Sequence, residues 1–198
     1  MSQPQTSDPD LIAAYRQGDD TALSHLVQRH QARVYRLARG LLPSPEDAED
    51  ATQEALIAMF SSLHRFRGES AFTTWLYRMT VNTCLKRRPK GARARTRPLS
   101  DHEYALPDNP DRRPDARAGR RWLRDQVGRF LAALPDTYRL PVLLSDALEL
   151  PASQIAEVLD LSLPATKQRI LRGRRRLRDV IERHCAESGL SGWRELLA

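Results

Sequence analysis

The 198-residue sequence has little cysteine and no long apolar run, and each shortage excludes a class of protein. The two cysteines, Cys84 and Cys185, lie far apart, which argues against a disulfide-stapled secreted domain and favours free thiols in a reducing cytosol. His184 and Cys185 have no second ligand pair nearby, so we expect no metal and no cofactor. No stretch approaches the length of a membrane helix, and the N-terminus lacks a secretory pattern. The sequence therefore predicts a cytoplasmic protein without membrane insertion.

The net charge of +7 is distributed unevenly along the chain. Residues 1–88 carry 11 basic and 10 acidic side chains, residues 89–117 carry 7 and 5, and residues 118–198 carry 14 and 10. The three net charges are therefore +1, +2 and +4. Because a basic domain attracts the phosphates of nucleic acid, we expect the C-terminal part to make the main DNA contact.

A short apolar helix, a turn and a cationic helix are predicted from residue 154 onwards. Residues 154–162 read QIAEVLDLS, and seven of the twelve residues in KQRILRGRRRLR, residues 167–178, are basic. With Ser162 as N-cap, helical periodicity separates an apolar stripe from a cationic side, as in a helix-turn-helix that enters a DNA groove. A solvated basic helix is the alternative, and the preceding apolar helix argues against it. The predicted stripe is Thr166, Ile170, Gly173, Leu177 and Val180 or Ile181; the cationic side is Gln168, Arg172 and Arg175, flanked by Arg169 and Arg176.

Aromatic and basic residues surround a glycine-containing loop between residues 66 and 88. Bases stack on aromatic rings while cations hold phosphates, so this composition favours single-stranded DNA. The loop around Gly68 and Ser70 could form a pocket for one flipped base. Trp75 is interpreted as a core residue, whereas residues 66–70 are interpreted as functional. The aromatics are Phe66, Phe72, Trp75 and Tyr77, and the cations are Arg67, Arg78, Lys86, Arg87 and Arg88.

Residues 45–60 predict a helix with a compact acidic side. Asp47, Asp50, Gln53 and Glu54 share this side at helical spacing. Since an acidic surface repels phosphate, it fits a basic protein surface better than DNA. An ordinary solvated helix side is the alternative.

The predicted fold class is all-α, with two small helical domains joined by a flexible linker. Capping and breaking signals at Ser7, Gly18, Ser44, Gly68 and Ser70 predict four helices before residue 88. Residues 89–117 contain five prolines and few large apolar residues, which predicts the linker. The second domain is predicted at residues 118–184. The tail at residues 185–198 is interpreted as a frayed terminus, an internal brake or a docking site for an inhibitor.

Taken in order, these motifs resemble the extracytoplasmic-function (ECF) group of the bacterial sigma-70 family of RNA polymerase sigma factors. The first domain is similar to sigma region 2 and the second to sigma region 4. The motifs of the first are Gly18-Asp19, Glu49-Asp50-Ala51-Thr52-Gln53-Glu54, Phe66-Arg67-Gly68-Glu69-Ser70, Thr74-Trp75-Leu76-Tyr77-Arg78 and Asn82. Those of the second are Leu134-Pro135-Asp136-Thr137-Tyr138-Arg139, Ile155-Ala156-Glu157-Val158-Leu159, Lys167-Gln168-Arg169 and Arg172-Gly173-Arg174.

The resemblance implies a non-enzymatic promoter-specificity subunit. Its partners would be core RNA polymerase, through the β′ clamp helices and the β flap, and promoter DNA, both duplex and melted. An anti-sigma factor is a further partner that the resemblance allows. Core-polymerase binding would fall on Asp47, Asp50, Gln53 and Glu54. Minus-ten DNA binding would fall on Phe66, Arg67, Gly68, Glu69, Ser70, Phe72, Trp75, Arg78 and Asn82, and minus-thirty-five binding on Ala165, Lys167, Gln168, Arg169, Arg172, Arg175 and Arg176.

The sequence departs from the family pattern in three places, and two other interpretations stay open. Asp160 stands where the tight turn usually has glycine, Gln154 replaces a common glutamate, and residues 164–166 read PAT instead of GTV. A free-standing helix-turn-helix regulator would explain the second domain but leaves the acidic helix and the aromatic loop without a role. A DNA-processing enzyme such as a recombinase would need a metal-binding carboxylate set, or a nucleophile with an arginine cluster, and the sequence suggests neither.

Overall fold

A computed structural model of the chain describes residues 6–87 and 128–187, without the side chain of Cys185, and all regular structure in these ranges is helical. The predicted all-α class is therefore confirmed. The predicted linker and most of the predicted tail lie outside the described residues, so their boundaries stay predictions. Within the described ranges, no helix combines the length and apolar character needed to cross a membrane.

The first domain contains four helices whose starts follow local capping signals. They are α1 (Asp8–Arg16), α2 (Asp20–Leu41), α3 (Pro45–Ser62) and α4 (Phe72–Arg87), with a 3₁₀ turn (Leu63–Arg65) after α3. The predicted N-caps Ser7 and Ser44 are confirmed, because each hydroxyl accepts a hydrogen bond from a backbone N–H three residues later. The predicted cap at Ser70 is wrong by one residue, since α4 begins at Phe72 and the carbonyl of Ala71 accepts from the N–H of Trp75.

The core of the first domain lies along one side of α2, a stripe of seven large side chains that recur at helical spacing. Five residues of that stripe are buried, whereas Leu23 and Val27 are only partly buried. Cys84 is also buried as a free thiol, and this burial raises its pKa to about 12. The thiol therefore stays protonated near neutral pH. The buried stripe residues are Leu26, His30, Val34, Leu37 and Leu41.

The second domain contains the predicted helix-turn-helix. Residues 128–132 are helical and are followed by α5 (Asp136–Val142), a π-helical turn (Leu143–Ala147), α6 (Ala152–Leu159) and α7 (Leu163–Glu187). The predicted cap of α7 is confirmed, because the N–H of Ala165 donates to the Ser162 hydroxyl at 3.3 Å. The predicted apolar stripe of α7 is buried at Thr166, Ile170 and Val180.

Gly173 allows α7 to lie close to α5. A Cβ at this position would be 2.5 Å from a methyl carbon of Val142 and 3.0 Å from the backbone oxygen of Tyr138. Both distances are shorter than ordinary van der Waals contact. A larger residue would therefore push α7 away from α5.

The two domains pack against each other, which the sequence did not predict. Helix α4 contacts α6, and α2 contacts the π-helical turn. Buried residues of both domains, among them Leu41, Val81, Leu143 and Ile155, belong to one continuous hydrophobic cluster. The described parts of the chain therefore form one packed body.

Asp160 generates a test of the turn between α6 and α7. It has a left-handed backbone, with φ 53° and ψ 55°, a conformation that costs a residue with a Cβ roughly 1–2 kcal/mol and costs aspartate less than most. We expect Asp160→Gly to raise the free energy of unfolding by up to about 1 kcal/mol, partly offset by the entropy of glycine in the unfolded chain. Asp160→Val should lower it. Urea unfolding followed by circular dichroism measures both, and equal effects of the two substitutions would contradict a left-handed turn.

Candidate functional site

The acidic row, defined as Asp47, Asp50, Gln53 and Glu54, lies exposed along α3, as the sequence predicts. Arg87, the last residue of α4, forms ion pairs with two carboxylates of the acidic row. The Arg87 Nε atom is 2.8 Å from Glu54 Oε2, and Nη1 is 3.3 Å from Asp50 Oδ2. The hydrogen bond to Glu54 is the main cause that raises the pKa of Arg87. The acidic row therefore already binds one guanidinium, and the spacing of its carboxylates suits the basic side chains of a partner protein.

Two apolar residues, which were not among the candidates predicted from the sequence, extend the acidic row. The side chains of Ile57 and Phe60 are 64% and 49% exposed, and they lie one turn apart on α3, so they form a small apolar patch. They lie seven and ten residues after Asp50, so helical periodicity places them on the same side of α3. Their helical spacing from Asp50 could have identified these two residues from the sequence. An acidic row that continues into exposed apolar side chains is typical of a protein-binding surface.

The aromatic loop, defined as residues 66–70, packs on aromatic side chains of α4. The Phe66 ring packs against Phe72 and Trp75, with centroids 5.8 and 5.2 Å apart. Phe72 is only 4% exposed, so in this conformation its ring supports the loop and is not available to stack on a base. Trp75 is partly buried, in agreement with its interpretation as a core residue.

Arg16 fixes the start of the aromatic loop from α1. Its guanidinium donates to the backbone oxygens of Leu63 and Phe66. Beyond this anchor the loop is open, since the side chains of Arg67 and Glu69 are 83% and 79% exposed. Gly68 has a φ of 75°, so a residue with a Cβ would strain the turn. The loop therefore presents a cation and a backbone turn to solvent from a fixed base.

Arg78 and Asn82 continue the exposed surface from the loop along α4. They lie three and seven residues after Trp75, so they share one side of the helix. The guanidinium of Arg78 donates to the backbone oxygen of Glu157, which belongs to α6 of the second domain. The structure thus brings the exposed members of the predicted minus-ten set together, whereas Phe72 lies beneath them. The second domain borders this surface.

The cationic side of α7 is exposed where the sequence predicts it. Arg174 of the same helix is engaged within its own domain: its Nη2 atom is 2.5 Å from Asp146 Oδ1, and the two residues form an ion pair. The Arg176 guanidinium lies 4.4 Å from the centroid of the Tyr138 ring, a cation–π contact that leaves the residue exposed. Ala165 and Arg169 are partly buried. The exposed members of the predicted set are Lys167, Gln168, Arg172, Arg175 and Arg176.

Two family models match the chain, one in each domain. Residues 26–94 match Sigma-70 region 2, and residues 124–177 match Sigma-70, region 4. The chain is 34% identical to ECF RNA polymerase sigma factor SigE of Mycolicibacterium smegmatis, covering 88% of this chain and 68% of that protein. It is 33% identical to ECF RNA polymerase sigma factor SigM of Mycobacterium tuberculosis, covering 87% and 84%. It is 31% identical to the ECF RNA polymerase sigma-E factor of Escherichia coli, covering 90% and 96%.

Solved structures share the fold at low sequence identity. CnrH, solved in complex with the cytosolic domain of CnrY, matches with a TM-score of 0.68 at 22% identity, covering 88% of this chain and 97% of that one. The sigma factor RpoE of Bartonella quintana, solved in complex with the anti-sigma factor NepR, matches with a TM-score of 0.59 at 17% identity, covering 80% and 96%. These likenesses support the two-part helical architecture.

Proposed function

The chain belongs to the ECF group of the sigma-70 family, and we propose that it is a non-enzymatic sigma subunit. It binds core RNA polymerase in the cytoplasm and directs initiation at a specific set of promoters. The observation that carries the proposal is the separation of three exposed surfaces on one chain: the acidic row, the aromatic loop and the cationic side of α7. Each surface suits a different partner, and a sigma subunit needs all three.

The acidic row suits the polymerase. Its carboxylates hold a guanidinium in the free protein, and Arg87 can be replaced there by a cation of a basic protein surface such as the β′ clamp helices. Exposed ion pairs exchange readily because water solvates both partners. Ile57 and Phe60 then supply apolar area beside the charges, which a purely electrostatic contact would lack.

The aromatic loop suits melted DNA of the minus-ten element. A base that leaves the duplex needs a flat apolar surface to stack on and donors for its edge. Phe66 offers a partly buried ring at the loop, Arg67 an exposed cation, and the turn at Gly68 exposed backbone groups. Arg78 and Asn82 extend this surface along the path of a strand.

The cationic side of α7 suits duplex DNA of the minus-thirty-five element. In a helix-turn-helix, side chains near the N-terminus of the second helix reach base edges. Ala165, Lys167, Gln168 and Arg169 occupy that part of α7. Arg172, Arg175 and Arg176 follow one or two turns later and are placed to hold phosphates, which position the helix without reading sequence.

The partners follow from these three surfaces. A free-standing regulator would use the cationic side of α7 alone and would give no role to the acidic row or the aromatic loop. RpoE of Bartonella quintana is solved with an anti-sigma factor, and we include such an inhibitor among the candidate partners of this chain.

Run-off transcription with core RNA polymerase and a random promoter library tests the proposal together with the acidic row. We expect transcripts that depend on the chain. Asp50→Lys with Glu54→Lys should abolish binding to core polymerase while helicity is retained, because the partner surface would meet two added cations.

Glu54→Lys and Glu49→Lys form a matched pair for the same assay. Both change the charge of α3 equally, but Glu49 lies about 100° and 140° round the helix from Asp50 and Glu54, the two carboxylates that Arg87 holds. Glu54→Lys should weaken binding at least tenfold, and Glu49→Lys should leave it close to wild type. Equal losses from both variants would show that overall charge matters and the acidic row does not.

Phe66→Leu tests base capture by the aromatic loop. Leucine keeps apolar contact with Phe72 and Trp75 but removes the ring, whose stacking is worth about 1–3 kcal/mol per base. Permanganate reactivity of thymines near the start site should fall roughly tenfold, while minus-thirty-five duplex binding stays unchanged. Phe130→Leu, the same change in the second domain, is the control. Unchanged reactivity with Phe66→Leu would remove stacking on this ring from the account.

A further inference from the structure

Both ends of α1 are connected to the aromatic loop, although α1 contributes no residue to the predicted minus-ten set. At its C-terminal end, the Arg16 guanidinium donates to the backbone oxygens of Leu63 and Phe66. At its N-terminal end, Asp8 contacts His30 of α2. These two ends are eight positions apart, which corresponds to about 12 Å of helix. Helix α1 is therefore attached to the support of the loop at two separate points.

His30 is a polar residue on an apolar side of α2. Its side chain is 3% exposed, and its neighbours along the stripe are Leu26 and Val34. The His30 Nε2 atom is 2.9 Å from Asp8 Oδ2, and since a carboxylate only accepts, Nε2 carries the proton. Within the part of the chain that the structure describes, no group hydrogen-bonds the buried Nδ1 atom. An apolar side chain would avoid this cost, so core packing alone does not explain a histidine here.

The His30 ring connects Asp8 to the aromatic loop through Phe72. The centroids of the His30 and Phe72 rings are 5.3 Å apart, in an edge-to-face contact with the planes at 62°. The Phe72 ring lies edge-on to Phe66, with centroids 5.8 Å apart. Such contacts depend on the relative orientation of the rings, so a rotation of the His30 ring changes the space that is open to Phe72 and then to Phe66. The hydrogen bond to Asp8 fixes that rotation.

Arg29 holds the Asp8 carboxylate in place for this bond. The Arg29 Nη1 atom is 2.6 Å from Asp8 Oδ1, and its Nη2 atom is 2.6 Å from the backbone oxygen of Thr6. The two carboxylate oxygens therefore have separate partners, Arg29 for one and His30 for the other. Hydrogen bonds between charged groups are the stronger kind. Asp8 should therefore stay paired with Arg29 when His30 is replaced.

We propose that Asp8 and His30 are positioning residues for base capture: they hold the Phe66 ring, through Phe72, where a flipped base stacks on it. This rests on the proposed function, because it requires the aromatic loop to bind melted DNA. Arg16 fixes the backbone of the same residue. A ring that is already in place loses less conformational freedom when the base binds. Loss of this support weakens promoter opening and leaves minus-thirty-five duplex binding unchanged.

His30→Leu separates positioning from stability in the full-length protein. Leucine removes both the ring and the unpaired buried nitrogen, so the melting temperature should stay the same or rise. Permanganate reactivity of thymines near the start site should nevertheless fall severalfold. Leu37→Val is the control, because it removes a buried carbon from the other hydrophobic cluster. It should lower the melting temperature and leave the permanganate pattern unchanged.

Asp8→Asn and Asp10→Asn form a matched pair that covers the case in which His30→Leu fails to fold. Each removes one negative charge from the first turn of α1. Asp8→Asn leaves only a neutral acceptor for His30, which weakens that hydrogen bond. Asp10 instead bonds to Ser7 at the exposed cap. Permanganate reactivity should fall severalfold with Asp8→Asn and stay close to wild type with Asp10→Asn.

Fluorine NMR of the free protein reports the position of the Phe66 ring without polymerase or DNA. The chain has four phenylalanines, so labelling with fluorophenylalanine gives four resonances, which Phe66→Leu and Phe130→Leu help to assign. The Phe66 resonance should shift and broaden in His30→Leu and in Asp8→Asn. The Phe130 resonance, from the second domain, should not change.

Each other outcome contradicts a defined part of the proposal. An unchanged Phe66 resonance in both His30→Leu and Asp8→Asn would overturn the positioning role. A shifted resonance with unchanged permanganate reactivity would overturn its part in promoter opening. Equal losses of reactivity in the two control variants would show a general effect of stability or charge, which also overturns the proposal. Absence of transcription from the wild-type protein would count against the proposed function, and the fluorine spectra would still decide the positioning role.

Discussion

The close approach of Leu143 to Gly40 is the contact on which the rest of the described structure depends. It joins the cores of two small domains into one hydrophobic cluster, and it sets which surfaces remain outside. A domain of this size buries a modest share of its own surface, so a shared interior adds stability that neither half has alone. The same contact places α6 against α4 and brings the backbone of α6 to Arg78.

Charge separation keeps the three functional surfaces distinct within this packed body. The acidic row on α3 is held by Arg87 of its own domain, and Arg174 of α7 is held by Asp146 of its own domain. Each pairing is local to one domain, so neither surface depends on the contact between the domains. Among the predicted site residues, Arg78 bonds across the contact, to the backbone oxygen of Glu157.

Much of the fold could be predicted from the sequence, because its determinants act over a few residues. Ser44 and Ser162 cap helices that start directly after them, and the stripe from Thr166 to Val180 follows from helical periodicity. The cap at Ser70 was misplaced because the turn at Gly68 carries the chain one residue further before α4 starts. The contacts made by Arg16, Arg36 and Arg87 reach residues 50, 111 and 33 positions away, and no local pattern specifies such pairs. The role of Gly40 was hidden for the same reason, since the atoms that explain it belong to the other domain.

Transcription that depends on the chain tests the central claim most directly, because the three exposed surfaces are assigned to one initiating complex. With core RNA polymerase and a random promoter library, the account predicts transcripts only when the chain is present. It further predicts that the promoters recovered share two separated sequence elements, one for each domain. Equal transcript yields with and without the chain would contradict the account.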